Sequence, residues 1–179
     1  MKKAVILTAR KERDSQVPYP LLPFAGDTCL MDRTLAILRE NGIKQIAIVI
    51  GFCHEQFEKY KADDVTLIYN KEYEFTASMG SLALAKDFID EDFLLVEGDT
   101  FYEKKVIEQL CELKTGNCIS MTEESGSGDE CFVETKNGFV TKITKDRHRV
   151  CNFEGEMLGV TRVSYETYQK LIYAWEHST

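Results

Sequence analysis

Phe93-Leu94-Leu95-Val96-Glu97-Gly98-Asp99 is the stretch on which the reading of this chain turns. Four apolar residues in succession describe a strand buried on both faces, the pattern of a parallel sheet covered by helices on either side. The run stops at an acidic residue, a glycine and an aspartate. Ligands of open α/β sheets bind at the carboxyl ends of the strands. A carboxylate delivered there by a rigid strand, with a glycine beside it to admit a ligand, is suited to Mg²⁺. The plainer role for Asp99 is an N-cap of the following helix.

Outward from this stretch, apolar runs recur at Ala4-Val5-Ile6-Leu7, at 45–50 and at 65–69. Between them the spacing predicts a helix over 31–41, with Leu30, Leu35, Ile37 and Leu38 on its apolar face and Asn41-Gly42 ending it. It also predicts a short helix over 54–60, a long loop over 70–80, a helix over 81–88 capped by Ser81, and a helix over 103–113. A fifth strand over 117–121 and a glycine-bearing acidic stretch over 122–130 follow. The character then changes: Cys131-Phe132-Val133-Glu134-Thr135 and Phe139-Val140-Thr141-Lys142-Ile143 flank Lys136-Asn137-Gly138, a hairpin signature. A strand over 157–163 and a helix over 165–175 close the sequence. Strands alternating with helices imply right-handed crossovers. The expected fold is α/β, a Rossmann-like three-layer domain with a mixed, mainly parallel sheet and a β-hairpin in its second half. At 179 residues it is one domain, without internal repeat or low-complexity linker.

The formal net charge of −8 excludes a nucleic-acid backbone as the main partner. It leaves room for a nucleotide, because a local basic loop can outweigh the overall field. No apolar run approaches ~20 residues, so no membrane span is expected. The run 4–9 behind Lys2 and Lys3 is too short for a signal-peptide core. The expected compartment is cytoplasmic. The six cysteines, Cys29, Cys53, Cys111, Cys118, Cys131 and Cys151, are irregularly spaced and form no C-x-x-C, so they are expected to be reduced and mostly buried. Three histidines, His54, His148 and His177, offer no paired zinc ligands.

The first strand-to-helix loop is the phosphate-binding position of such folds. Here Thr8-Ala9-Arg10-Lys11-Glu12-Arg13-Asp14 contains no glycine, which excludes both the dinucleotide fingerprint and the P-loop. Arg10, Lys11 and Arg13 could neutralise a triphosphate, or could pair with Glu12 and Asp14 in a solvated loop. All three prolines lie in Val17-Pro18-Tyr19-Pro20-Leu21-Leu22-Pro23-Phe24, a stiff, non-helical segment able to hold that loop.

Strand, basic loop, proline-leucine segment, helix and a strand ending Gly-Asp together resemble the nucleotidyltransferases that make sugar nucleotides and CDP-alcohols. The resemblance covers essentially all 179 residues and is strongest to the small cytidylyltransferases acting on phosphocholine and aminoalkylphosphonates. It implies transfer of CMP from CTP, or from another nucleoside triphosphate, to a small phosphate or phosphonate acceptor, with Mg²⁺ and release of pyrophosphate. Ala9, Arg10, Lys11 and Arg13 take the place of the family's glycine-rich loop. Arg13 falls where an arginine meets the triphosphate. Tyr19 stands where the family has a lysine, for which Lys11 would substitute. The loop Asn70 to Leu82 resembles one that enters a helix N-terminus beside the nucleotide, with hydroxyls on Thr76, Ser78 and Ser81 and close approach permitted by Gly80. Asp99 matches the metal-binding aspartate, Lys145 a hairpin lysine that reaches the acceptor phosphate, and Gly159 a glycine opening the late strand. Lys11, Arg13 and Lys145 are thus the catalytic candidates. An acceptor amine would meet Tyr73, Phe75, Tyr102, and Glu97 or Glu156. The family continues past the late helix into a strand with a second acidic metal ligand behind a tryptophan. Trp175 lies in a helix without that motif, so a domain lacking its C-terminal portion is expected. A non-catalytic nucleotide-binding or regulatory domain is one alternative. A sugar-phosphate nucleotidyltransferase is another, against which the 70–82 loop counts. Homodimer or fusion to a further domain stays open.

Overall fold

The structure, a computed structural model, describes residues 1–11, 15–114 and 116–178. In chain order its elements are β1 (Lys3–Thr8), β2 (Pro23–Ala25), β3 (Thr28–Cys29), α1 (Leu30–Glu40), β4 (Gln45–Ile50), β5 (Val65–Tyr69) and α2 (Ser78–Ala83). There follow β6 (Phe93–Glu97), α3 (Lys104–Glu112), β7 (Cys118–Thr122), β8 (Phe132–Lys136), β9 (Phe139–Thr144), β10 (Phe153–Val163) and α4 (Tyr165–Glu176). Eight strands form one mixed sheet in the order β5-β4-β1-β6-β10-β8-β9, with β7 also pairing β10. Strands β5, β4, β1 and β6 run parallel. β10 runs antiparallel to β6, β7 and β8, and β8-β9 is the hairpin at Asn137-Gly138.

The three layers follow from the alternation of side chains along the parallel strands. Ala4, Ile6, Ile46, Ile48, Leu94 and Val96 face one way, onto Met31, Leu35 and Leu38 of α1 and Ile107 and Leu110 of α3. Val5, Leu7, Ala47, Val49 and Phe93 face the other way, onto Leu82, Ala85, Ile89 and, from the C-terminal part, Val163 and Tyr168. β1 therefore lies at the centre of the sheet with Ala4, Val5 and Ile6 fully buried.

β10 joins the two halves. Its register shifts between Met157 and Thr161, around Gly159 at φ +77°. A Cβ there would lie 2.8 Å from Thr100 Oγ1 and 3.2 Å from Glu97 Cβ. Only glycine tolerates both the left-handed backbone and that approach. Gly159 thus lies within β10, not at its opening. Arg162, also in β10 and 3 % exposed, donates to Asp92 Oδ2 at 3.3 Å, to the Lys114 carbonyl at 3.3 Å and to the Leu113 carbonyl.

Three local expectations are corrected. The helix after the long loop begins at Ser78 with Ala77 as N-cap and ends at Ala83; Ser81 caps nothing because its hydroxyl accepts from Asn70 Nδ2 at 3.0 Å. The proline segment holds a 3₁₀ turn over Tyr19–Leu21, closed by Leu21 N–H to the Pro18 carbonyl at 2.8 Å, because a proline in the first turn forfeits no donor. All six thiols are free, but only Cys29 is buried and Cys151 is exposed. The other four sit at or near the ends of elements, where packing is incomplete. No helix among the described residues is long and apolar enough to cross a membrane.

Candidate active site

β1 and β6 are neighbouring parallel strands in the register Leu7↔Glu97, so their carboxyl ends open at the same edge. Gly98 N–H donates to the Leu7 carbonyl at 2.8 Å. A Cβ on Gly98 would meet Thr8 Cβ at 2.9 Å, Leu7 O at 3.0 Å and Pro20 Cγ at 3.3 Å. The absence of a side chain here lets the exits of both strands and the proline segment converge. They form one side of a cleft lined by Ala9, Arg10, Tyr19, Glu97 and Asp99.

The opposite wall is the segment after β5, lining the cleft with Tyr73, Thr76, Ser78 and Ser81. Asn70, 2 % exposed, builds it. Its backbone N–H donates to the Ile50 carbonyl at 2.8 Å, anchoring it to β4. Its Nδ2 donates to Thr76 Oγ1 at 2.8 Å and Ser81 Oγ at 3.0 Å, and its Oδ1 accepts from Glu72 N–H at 2.9 Å. Both amide hydrogens and the carbonyl are used, so the buried side chain is satisfied. Gly80 packs behind this wall: a Cβ on it would lie 2.7 Å from Thr76 Cβ. Gly51 serves the same closeness beneath the cleft, where a Cβ would lie 2.4 Å from Ala9 O and 2.7 Å from Tyr73 Cβ.

Burial, and then the nearby charge of Asp99, push the Glu97 carboxyl up to about 7, against the opposing pull of Arg10 and Lys145. Cations from the first loop and from the end of the hairpin therefore act on one carboxyl. The Lys145 ammonium is held by Asp129 Oδ1 at 2.5 Å.

Of the residues singled out in the sequence, Ala9, Arg10, Ser78, Ser81 and Asp99 meet in the cleft. Lys145 stands beside it. Lys11 leans over the Phe52 ring, its ammonium 5.2 Å from the centroid, and does not line the cleft. Arg13 lies outside the described residues. Among the acceptor candidates Tyr73 lines the cleft, whereas Phe75 is 85 % exposed and Tyr102, 2 % exposed, belongs to the core on the α1–α3 face. Glu156 accepts from Ser125 N–H at 2.8 Å. The organising role of Asn70 and the pairing of Asp129 with Lys145 were not anticipated. A polar residue directly after the apolar run of β5, with Thr76 and Ser81 in reach, was the available signal for the first.

Glu97 and Asp99 are the residues suited to a cation. No group of three or more His, Cys, Asp or Glu side chains able to hold a metal exists among the described residues. Mg²⁺ asks for less: it is bound through one or two carboxylates, with phosphate oxygens and waters completing its shell. The carboxylate pair fits it, and a cation there would offset the charge of Asp99, which adds to the burial that raises Glu97.

A parallel sheet edge bearing a basic loop, a carboxylate pair and a hydroxyl-lined wall defines a nucleotide-handling α/β domain. The chain belongs to the MobA-like NTP transferase domain family, whose model matches residues 4–151. It is 29 % identical over 163 residues to the CMP-5'-(3-aminopropyl)phosphonate synthase of Streptomyces rubellomurinus, covering 85 % of this chain and 26 % of that protein. It is 40 % identical over 77 residues to the choline-phosphate cytidylyltransferase of Haemophilus influenzae, covering 42 % of this chain and 33 % of that one. The chain thus spans about a quarter to a third of the length of these curated relatives. The inositol-1-phosphate CTP transferase of T. maritima shares the fold at a TM-score of 0.76 and 19 % identity, over 94 % of this chain and 73 % of that one. The CTP:phosphocholine cytidylyltransferase of Streptococcus pneumoniae shares it at 0.74 and 20 %, over 98 % and 78 %.

Proposed function

We propose that this chain is the transfer domain of a cytidylyltransferase that moves CMP from CTP to a small acceptor carrying a phosphate or phosphonate together with an amine. The observation that carries the reading is the convergence of Arg10, Glu97 and Asp99 at the joined ends of β1 and β6. Two relatives, named for an aminopropylphosphonate and for choline phosphate, support the choice of nucleotide and acceptor.

In this reading an acceptor oxygen attacks the α-phosphorus of CTP in line. A new P–O bond forms, the bond to the β-phosphate oxygen breaks, and pyrophosphate leaves with that electron pair. A phosphate monoester has its second pKa near ~6, so the attacking oxygen is already anionic at neutral pH and needs no general base. The work left to the chain is positioning and charge neutralisation. Arg10 holds the leaving phosphates, and Lys11 and Arg13 are the further cations of the same stretch of sequence. Ser78 and Ser81 in the wall offer hydroxyls to the nucleotide, while Thr76 Oγ1 donates to the Glu72 carbonyl at 2.9 Å. Asp99, with Glu97 beside it, would hold Mg²⁺, which when bound offsets the repulsion between nucleotide and acceptor oxygens. Lys145 reaches the acceptor phosphate. The Tyr73 ring, which lines the cleft, suits the acceptor's amine.

Pyrophosphate release from CTP, ATP, GTP and UTP against phosphocholine, 2-aminoethylphosphonate and sugar phosphates tests the assignment. Release with CTP and an amine-bearing acceptor is expected. Release only with a sugar phosphate transfers the reading to sugar activation. A second reading, a nucleotide-binding domain without turnover, is favoured by Tyr19 standing at a position where a lysine would add charge to the cleft. CTP with Mg²⁺ raising the melting temperature, with no release from any pair, would establish it.

A further inference from the structure

Lys145 follows β9, a strand on the outer edge of the sheet whose residues 139–143 are exposed. Its side chain is 60 % exposed, and an exposed lysine stem retains extensive rotamer freedom. One contact fixes it: the ammonium lies 2.5 Å from Asp129 Oδ1, sixteen residues earlier in the chain. Asp129 is itself held in place. It ends a turn in which Ser127 N–H donates to Ser125 Oγ at 3.3 Å, Gly128 N–H to Glu130 Oε1 at 3.0 Å and Asp129 N–H to Ser127 Oγ at 3.4 Å. That turn is anchored on β10 through Ser125 N–H to Glu156 Oε2 at 2.8 Å. The carboxylate is therefore placed by its loop, and the lysine is placed by the carboxylate.

We infer that Asp129 is a positioning residue that holds the Lys145 ammonium at the acceptor side of the cleft, ready for the acceptor's phosphate or phosphonate group. The inference rests on the reading above that Lys145 meets that group. The Asp129 carboxyl is drawn below the usual carboxylate range by its hydrogen bond to Lys145 first, and by the charge of Arg10 as well. Arg10 lines the cleft, so Asp129 lies within reach of the cations from both sides. Lys145 also acts on Glu97 inside the cleft. An ammonium carries three donors; with one spent on Asp129, two remain for the acceptor, so binding needs no exchange of partners. Side chains 60 % and 63 % exposed make the pair a weakly coupled one, and its loss is expected to cost about two- to fivefold in acceptor affinity.

The test compares Asp129→Ala, Asp129→Glu and Lys145→Ala in the full chain. With CTP and Mg²⁺, Asp129→Ala is expected to raise the acceptor KM about two- to fivefold with the CTP KM and kcat unchanged, and Asp129→Glu to restore it. An unchanged or lowered acceptor KM in Asp129→Ala overturns the inference, as does an equal rise in the CTP KM. Amide hydrogen exchange across 123–130 and 139–145 in the ligand-free protein provides the second arm. Exchange in both segments is expected to quicken alike in Asp129→Ala and Lys145→Ala; no change in either variant overturns the positioning role. Should no acceptor be turned over at all, the proposed function falls, and the exchange arm alone then decides whether Asp129 fixes Lys145.

Discussion

Glu97 and Asp99 leave the same strand end with opposite duties. Asp99 is the residue the sequence marks for metal, and Asp99→Ala is expected to abolish Mg²⁺-dependent pyrophosphate release from CTP while leaving the thermal midpoint of the metal-free protein within a few degrees. Turnover undiminished in that variant would remove Asp99 from the metal site. Glu97 carries a stability cost that depends on pH. Its carboxyl titrates near 7 in the folded chain, against about 4.3 in an unfolded one. Between these values the folded state binds the extra proton, so the contribution of Glu97 to stability is most favourable below about pH 4.3 and is lost as pH rises through about 7. The ionised Glu97 therefore destabilises the fold by roughly 4 kcal/mol at most above that window. Glu97→Gln is expected to flatten this part of the urea-midpoint profile when measured with a chelator present; a profile that keeps its full slope would place the titration elsewhere.

At the scale of elements, the wall after β5 depends on Asn70 more than on its own helix. α2 is six residues long, too short to be stable alone, and its place is set by hydrogen bonds from a side chain eight residues before it. Asn70→Ala leaves the hydroxyls of Thr76 and Ser81 without their donor and is expected to cost about 2 kcal/mol. Exchange in 72–81 should quicken more than in the sheet core, and uniform quickening would contradict that account. The same wall shows what sequence can and cannot supply. The apolar runs of β1, β4, β5 and β6, and the Asn-Gly hairpin, were legible because one-dimensional pattern and local turn chemistry determine them. The start of α2 was not, because Ser81 looks like a cap until Asn70 claims its hydroxyl. Tyr102 looks like a cleft aromatic four residues beyond Gly98, yet it turns into the core behind β6. The cleft edge itself was legible from Phe93–Asp99, because a buried strand can end only at the sheet's rim.

For the whole molecule, the long antiparallel β10 is the element the sequence disclosed least. Its last residues read as a strand, but its bend at Gly159 and its service to β6, β7 and β8 at once are long-range facts. Arg162 secures this junction from a buried position against Asp92 and two carbonyls at the end of α3. Arg162→Ala leaves the two carbonyls without this donor and Asp92 with only the Tyr165 N–H at 3.0 Å, and is expected to lower stability by about 3 kcal/mol, read as a shift in urea midpoint with an unchanged slope. A negligible shift would show that the two halves hold together without it. The bend also governs how the chain reaches its native state. During synthesis the parallel strands β1, β4, β5 and β6 are available early, but β6 meets β10 only when Val160 reaches Val96. Until then an apolar strand edge stays open to other chains, the circumstance in which nascent proteins aggregate. A bulkier residue at Gly159, which would delay that docking, is therefore expected to appear first as insoluble protein during expression, before any loss of turnover per folded molecule.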